Sequence, residues 1–515
     1  MNGFRSTILA PRTSRVGPHD WQRWRWLLPV AAAAILMLLV IVNGFPLLYD
    51  DTTAYMRRSA GALVAFFGPG YASEWVDPER LAWLQSSLGD APAAAPSSAP
   101  VQAPPPWTGG RSVYYGFVAH LLALAGGLWA SVAFQALVAG VLLTLTWFRL
   151  LGLRSVPLFL GACLLLTFAS SLGYFVGLVM PDVFAGFTIL AFALLMVGWD
   201  RLGRAERVLL AGIAAFSLLA HDTHLLLGAG LLGAFLIFSI LKRRTWRLPV
   251  EVRGPGAVLA ACLLVGVLGA FAYNAAAVRI SGQPPLRLPH ITAHMASTET
   301  GVRFLRTRCP REDWAVCDHA DKLPLSWIEF MFTRPEIYDG ATPERKRRLS
   351  DEQLEVAGAM LADRPLATAG LAASEAARQL VTFSYFDLGQ REMLAREIPE
   401  PVRAKMRGTL LVEEPGLTDM LSTLQQLVVA LSVVLLCLPL FLMRREAGVW
   451  SRARALTGIV LLGVLLNAAI CGVLAYPYDR FQARVVWLVP FMAALWLALL
   501  IERRRRGASS LGEAG

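Results

Sequence analysis

Charge is what this sequence has least of. Only 17% of its 515 residues are Asp, Glu, Lys or Arg, where a soluble globular protein carries roughly 25%. That leaves too few charged groups to cover a water-facing surface. Disorder is excluded as well, because it needs low hydrophobicity and high charge, whereas 56% of this chain is hydrophobic and its mean hydropathy is +0.51. No P-loop, H-E-x-x-H, G-x-S-x-G or EF-hand pattern occurs. A G-x-G-x-x-G match, Gly228 to Gly233, lies inside an apolar run. It follows no strand and opens no βαβ unit, so close helix packing through small residues accounts for it. No repeat relates the two halves, which weakens a transporter reading, and no His/Arg phosphatase signature marks a lipid-phosphate hydrolase. The class that remains is a polytopic membrane protein.

Apolar runs near the 20-residue length of a transmembrane helix occupy roughly 27–48, 129–149, 155–176, 181–199, 206–220, 224–241, 256–278, 425–443, 455–476 and 485–501. They predict an all-α fold with about ten transmembrane helices. With the N-terminus in the cytoplasm, the inward segments carry Arg5, Arg12, Arg15, Arg23 and Arg25, Arg149 and Arg154, Arg201, Arg204 and Arg207, Lys242 to Arg253, Arg444 to Arg454, and Arg503 to Arg506. The shorter outward segments carry only Arg57, Arg58, Arg80, Arg111, Arg480 and Arg484. This asymmetry fits the positive-inside rule and sets both termini in the cytoplasm. The net charge of +11 is therefore an orientation signal rather than a nucleic-acid surface.

Residues 113–150 are nearly uncharged and too long for one span. Two spans hinged at Gly126-Gly127 would put the arginine-rich loops outside, so the stretch is read as an interfacial helix, Tyr114 to Ala125, followed by one span. The first span is too long for a signal peptide and lacks a small-x-small cleavage site. Trp21, Trp24 and Trp26 sit where an aromatic belt would lie.

The predicted organisation is a cytoplasmic tail (1–26), a transmembrane core (27–278) with a first outer loop (46–112), an extracytoplasmic helical module (279–424), C-terminal transmembrane helices (425–502) and a second cytoplasmic tail (503–515). The Ala/Pro/Ser-rich stretch 90–106 reads as a flexible or polyproline-like strap. In the module, Ser350-Asp351-Glu352 reads as a helix start, and a second helix is expected from Leu366 to about Thr382. Cys163, Cys262, Cys437 and Cys471 fall in apolar runs as packing residues. Cys309 and Cys317 fall in the module, where an oxidising compartment lets them pair; a metal pair is the alternative.

Polar clusters gather on the outward side. Asp50 and Asp51 follow the first span, where paired carboxylates are costly unless used or solvated; Asp51 or Thr52 also reads as the N-cap of the next helix. Arg111 to Gly116, with Tyr115, ends the first loop. Asp182 opens the fourth span, where a helix dipole would also stabilise it. His221, Asp222 and His224 share a tight turn, as metal ligands or as a self-satisfied His–Asp pair. Arg480 and Arg484 lie one helical turn apart and call for an anion, a lipid headgroup phosphate included. His290 and His294 have the same spacing, for metal or for packing.

The order of these features resembles the C-type (GT-C) multispan membrane glycosyltransferases over residues 25–278 and 425–502. Asp50/Asp51 and Asp182 match the family's loop acids, and Arg111-Ser112-Val113-Tyr114-Tyr115-Gly116 resembles its Arg-Pro-Pro-Tyr-type segment without the prolines. Arg480-Phe481 through Pro490 resembles its Arg-Tyr lead-in to a late span, with altered spacing. The resemblance implies inverting transfer of a sugar from a polyprenyl-phosphate donor to a glycan, lipid or protein acceptor. Asp50 or Asp51 would be the base, Arg480 and Arg484 with Arg111 and Tyr115 would bind phosphate, and Asp182, His221, Asp222 and His224 would hold the acceptor or a divalent metal (Mg or Mn). It implies an inner (plasma) membrane protein with an extracytoplasmic site, contacts with membrane lipids and none with nucleic acid. A non-catalytic lipid-glycan flippase and a structural assembly protein remain as alternatives.

Overall fold

The structure is a computed structural model that describes residues 26–88, 109, 111–243, 250–333, 337–442 and 446–512. Arg5, Arg12, Arg15, Arg23, Arg25, Arg244, Arg247, Arg444, Arg445, Trp21, Trp24 and the 90–106 strap lie outside the described residues. Among the described residues, helix dominates and no strand forms; the one extended pairing is a parallel bridge between Leu47 and Leu178.

The helices, in chain order, are α1 (Leu28–Asn43), α2 (Asp50–Phe67), α3 (Pro78–Leu88), α4 (Val113–Thr144), α5 (Val156–Phe168), α6 (Ser171–Gly177), α7 (Val183–Gly198), α8 (Arg204–Ala220), α9 (Asp222–Arg243) and α10 (Val250–Ser281). There follow α11 (His290–Ser297), α12 (Glu299–Arg308), α13 (Trp327–Phe332), α14 (Pro343–Asp363), α15 (Pro365–Val381), α16 (Glu400–Met406) and α17 (Leu410–Glu413). The C-terminal set is α18 (Gly416–Leu442), α19 (Val449–Leu474), α20 (Asp479–Val486) and α21 (Leu488–Gly512).

Among the described residues, 6 helices are long and apolar enough to cross a membrane, or up to 7 if each bent pair is one span. The bent pair is α5 with α6, which meet at 71°. Ser170 causes the break: its hydroxyl caps α6 by accepting from the Leu172 amide. Of the remaining expected spans, α1 and α7 are shorter apolar helices, and α8 begins on a charged turn containing Arg204 and Glu206. The shortness of α7 suits its position. It is apolar on every side and almost wholly buried at the centre of the bundle, as an all-round hydrophobic helix must be.

The expected interfacial helix Tyr114 to Ala125 takes a different form. Gly126 and Gly127 leave helical geometry inside α4, Gly127 with φ +63°, a region open mainly to glycine. The Ser131 hydroxyl donates to the Ala119 carbonyl at 3.2 Å, and the Tyr115 hydroxyl donates to Gln135 Oε1 at 3.1 Å. In a straight helix these pairs would stand about 18 and 30 Å apart along the axis. The chain therefore folds back, and the 113–125 limb packs against the limb that follows. The 113–125 limb, about 20 Å long, is too short to be a crossing of its own.

The region 279–424 also divides differently from expectation. Residues between Leu286 and Met360 close their own core around Phe304, Trp314, Trp327 and Phe330. Residues between Tyr385 and Leu411 instead join the core of the membrane bundle. Helix α14 starts at Pro343, with the Thr342 hydroxyl accepting from the Arg345 amide. The expected start at Ser350 is thus mid-helix, because a Thr N-cap followed by Pro at the first helical position was present upstream. The second expected helix is α15, nearly as drawn.

Cys309 and Cys317 are joined by a disulfide that ties the end of α12 to the following loop. Closing so short a loop contributes about 2.5 kcal/mol in the chain-entropy treatment. A Cys309→Ser/Cys317→Ser variant in detergent should show a correspondingly lower melting temperature, and reductant should lower the wild type equally while leaving the variant unmoved.

Candidate functional site

The loop carrying Tyr49, Asp50 and Asp51 is fixed from both sides. Leu47 pairs with Gly177 and Val179 through backbone bonds of 2.9 and 3.0 Å. Gln390 clamps Leu48, accepting from its amide at 3.0 Å and donating to its carbonyl at 3.1 Å. The N-cap of α2 is Tyr49, not Asp51 or Thr52. The Thr52 hydroxyl accepts from the Tyr49 amide at 3.0 Å and donates to the Val179 carbonyl at 3.1 Å. Both carboxylates are therefore in the first turn of α2, where the helix dipole favours them, and neither is used up in capping.

They face different environments. Asp51 accepts from Arg111 Nε at 2.8 Å, and also from Arg111 Nη2, while its other oxygen accepts from Arg480 Nη1 at 3.2 Å. Burial works to raise its pKa, but the guanidiniums of Arg111 and Arg480 prevail and hold the carboxyl well below the usual carboxylate range. Asp50 turns outward, with its side chain 42% exposed, and pairs with Arg396 Nε at 2.8 Å. Burial raises its pKa against the lowering effect of Arg396.

The Asp51 network continues inward. Arg480 Nε stands 3.7 Å from Asp182 Oδ1, and Arg484 Nη1 reaches the same oxygen at 3.7 Å. The Arg484 and Asp182 side chains are only 1% and 3% exposed. Arg484 also donates to Asn467 Oδ1 at 3.0 Å and to the Thr223 hydroxyl at 3.2 Å, and Arg480 stacks over Tyr49 at 4.3 Å. Three arginines and two aspartates thus alternate from Arg111 to Arg484. Asp182 stands at the N-cap of α7 without making a cap bond; its partners are the arginines.

Several expected roles change in consequence. Arg480 and Arg484, expected to bind phosphate, are buried against Asp51 and Asp182 in the interior and do not line the cavity described below. Tyr115, expected beside them, is 2% exposed and packs edge-on against Tyr55 and Phe184; its place on α4 is a packing place. The neighbouring Gly116 is required there, since a Cβ would come within 2.1 Å of the Ser59 hydroxyl. His224 bonds the Ser217 carbonyl at 2.7 Å, and His221 is bonded by the Thr223 hydroxyl at 2.9 Å. Burial, then Arg484 and Arg480, pushes His221 down to about 3, so it is neutral near pH 7. Among the described residues no group of three or more His, Cys, Asp or Glu is placed to hold a metal ion. A divalent cation at Asp182 would sit against two guanidiniums, so these residues do not fit the expected metal. His290 and His294 turn to separate partners, the Trp327 ring and Glu375. Asp222 heads α9.

Beside Asp50 opens a cavity of about 370 Å³, lined by Asp50, Thr53, Ala54, Arg57 and Arg58 of α2, by Asp77, Arg80 and Arg111, and by Arg396 and Glu397. The α2 residues fall at helical spacing on one face, while Tyr55, Met56, Ser59 and Ala60 on the other face are buried. Burial, then Arg111 and Arg80, pushes Arg58 down to about 10. A smaller crevice adjoins along Arg58 and Arg80 and is lined also by Trp83, Leu84, Val113 and Tyr273. Sequence reasoning gave no role here to Arg57, Arg58, Arg80 or Arg396. The first three were visible as basic residues on the side where the orientation rule expects few.

Comparison with family models, with curated proteins and with solved structures finds no match to this chain.

Proposed function

We propose that this chain is a membrane glycosyltransferase that moves a sugar from a polyprenyl-phosphate donor to an acceptor hydroxyl at the extracytoplasmic face, with inversion. The observation that carries the reading is the arginine-walled cavity with the half-exposed Asp50 on its rim, continued by a crevice with apolar and aromatic walls beside α10. A lipid-linked sugar phosphate needs these three surroundings together: guanidiniums for the phosphate, apolar walls for the prenyl chain, and a carboxylate that takes a proton.

In this mechanism Asp50 accepts the acceptor's hydroxyl proton as its oxygen attacks the anomeric carbon. The bond from that carbon to the phosphate oxygen breaks on the opposite side, and its electron pair leaves with the polyprenyl phosphate. Arg57, Arg58, Arg80 and Arg111 stabilise the charge developing there. Asp51 is not a base here. Held by two arginines, it fixes Arg111 at the cavity wall and ties it to the Arg480 network.

Reconstituted full-length protein should transfer label from a polyprenyl-phosphate-linked radioactive sugar to a hydroxyl acceptor. An Arg58→Gln/Arg80→Gln variant should raise KM for that donor about 100-fold or more, as loss of two charged hydrogen bonds worth about 1.5–3 kcal/mol each requires. Unchanged donor KM in a folded variant would remove the cavity from the reaction.

A further inference from the structure

The dipeptide Arg396-Glu397 reaches the rim of the cavity from the segment between Glu392 and α16 and forms two ion pairs with α2. Arg396 Nε meets Asp50 at 2.8 Å, and Glu397 meets Arg57 at 3.2 Å. The segment is braced from behind, since Arg403 donates to the Arg396 carbonyl at 2.8 Å. Both pairs border the cavity, and both are partly or largely exposed. They are therefore weak enough to be exchanged by an entering anion. An entering phosphate offers Arg396 and Arg57 one anionic group that both can hold, in place of a separate carboxylate each.

We infer that Arg396 is an exchangeable clasp on Asp50: an anionic ligand entering the cavity takes the Arg396 guanidinium from Asp50 and leaves that carboxylate free beside the bound phosphate. Asp50 would then act as a base only when the donor is seated, and in the empty cavity Arg396 keeps it occupied. Arg396 is in this sense a positioning residue that links occupancy of the phosphate site to the state of its neighbour. The inference rests on the proposed donor site.

The test is a double-mutant cycle on the full-length protein in detergent, with farnesyl phosphate as the probe and its Kd as the readout. Arg396→Gln should weaken binding about tenfold, and Arg396→Lys should restore most of it. Asp50→Asn should tighten binding about tenfold in the wild-type background, because the clasp no longer competes. In the Arg396→Gln background the same substitution should change Kd less than about twofold. Equal tightening in both backgrounds would mean that Asp50 merely repels the probe, and would overturn the exchange. An Arg58→Gln/Arg80→Gln variant separates the two ideas. If it loses the probe while the cycle is additive, the cavity stands and the clasp falls. If it binds normally, or if the wild type does not bind the probe, both fall. Monodisperse elution of each variant shows that it is folded, so each outcome bears on the site.

Discussion

Asp50→Asn should lower sugar transfer by about 10²–10⁴-fold, the range expected when a general base is lost, while the protein still inserts and binds a prenyl phosphate. The amide is isosteric but takes no proton. The side chain is partly exposed and its ion pair with Arg396 is exposed too, so folding should survive the change. The pH profile gives a second check. Burial raises Asp50 against Arg396, so the acid limb of the wild-type rate should lie above the ordinary Asp value near 3.9 and should disappear in the variant. Asp51→Asn should act differently. Its carboxyl is held low by Arg111 and Arg480, so its contribution is to stability. That contribution is present above the unfolded value near pH 3.9 and is lost only as pH falls toward the depressed folded value. A variant Asp50→Asn with normal transfer would sink the mechanism.

The largest stability effect is expected at Asp182→Ala. One carboxylate, 3% exposed, faces Arg480 and Arg484. Its removal leaves two buried guanidiniums with one anionic partner between them, Asp51 on Arg480. Breaking a buried ion pair from one side costs about 3–5 kcal/mol, which should appear as a large fall in thermal stability in detergent. Asp182→Asn, which keeps a carbonyl oxygen toward the arginines, should cost less. A shift within about 0.5 kcal/mol, the range for surface substitutions, would show that the network is not what holds α7 to α20.

Membrane class was legible because it depends on composition and on run length, both printed in the sequence. The helices expected at 224–241, 256–278 and 455–476 are long apolar runs, and they appear as long helices. The run at 155–176 looked continuous because its break is a single serine, Ser170, acting as a cap. The hairpin at Gly126-Gly127 was visible as two glycines. Its direction was not, because only the pairing of Ala119 with Ser131 and of Tyr115 with Gln135 tells a fold-back from a surface helix.

At the site, the sequence supplied the charged residues but not their pairing. Arg57, Arg58, Arg80, Arg111, Arg480 and Arg484 all stood out as basic residues on the outward side. Spacing drew attention to Arg480 and Arg484, which share a helix face, yet Asp51 and Asp182 from distant segments pair with them in the interior. The arginines that wall the cavity come from α2, from the first turn of α3 and from position 111, and Arg396 joins them from far along the chain. Asn467 and Gln135 carried a signal that went unused: a lone amide in an apolar span marks a polar contact inside the bundle. Gln390, which clamps Leu48, sits in a loop with no pattern to single it out.

The central claim is that the cavity beside Asp50 holds the phosphate of a lipid-linked donor. A cryo-EM map of the full-length protein with bound polyprenyl phosphate tests it most directly. The account predicts phosphate density within hydrogen-bond reach of Arg57, Arg58, Arg80 or Arg111, with the prenyl chain running past Trp83 toward Tyr273. Phosphate density at Arg480 and Arg484, or on the other side of the membrane bundle, would contradict it.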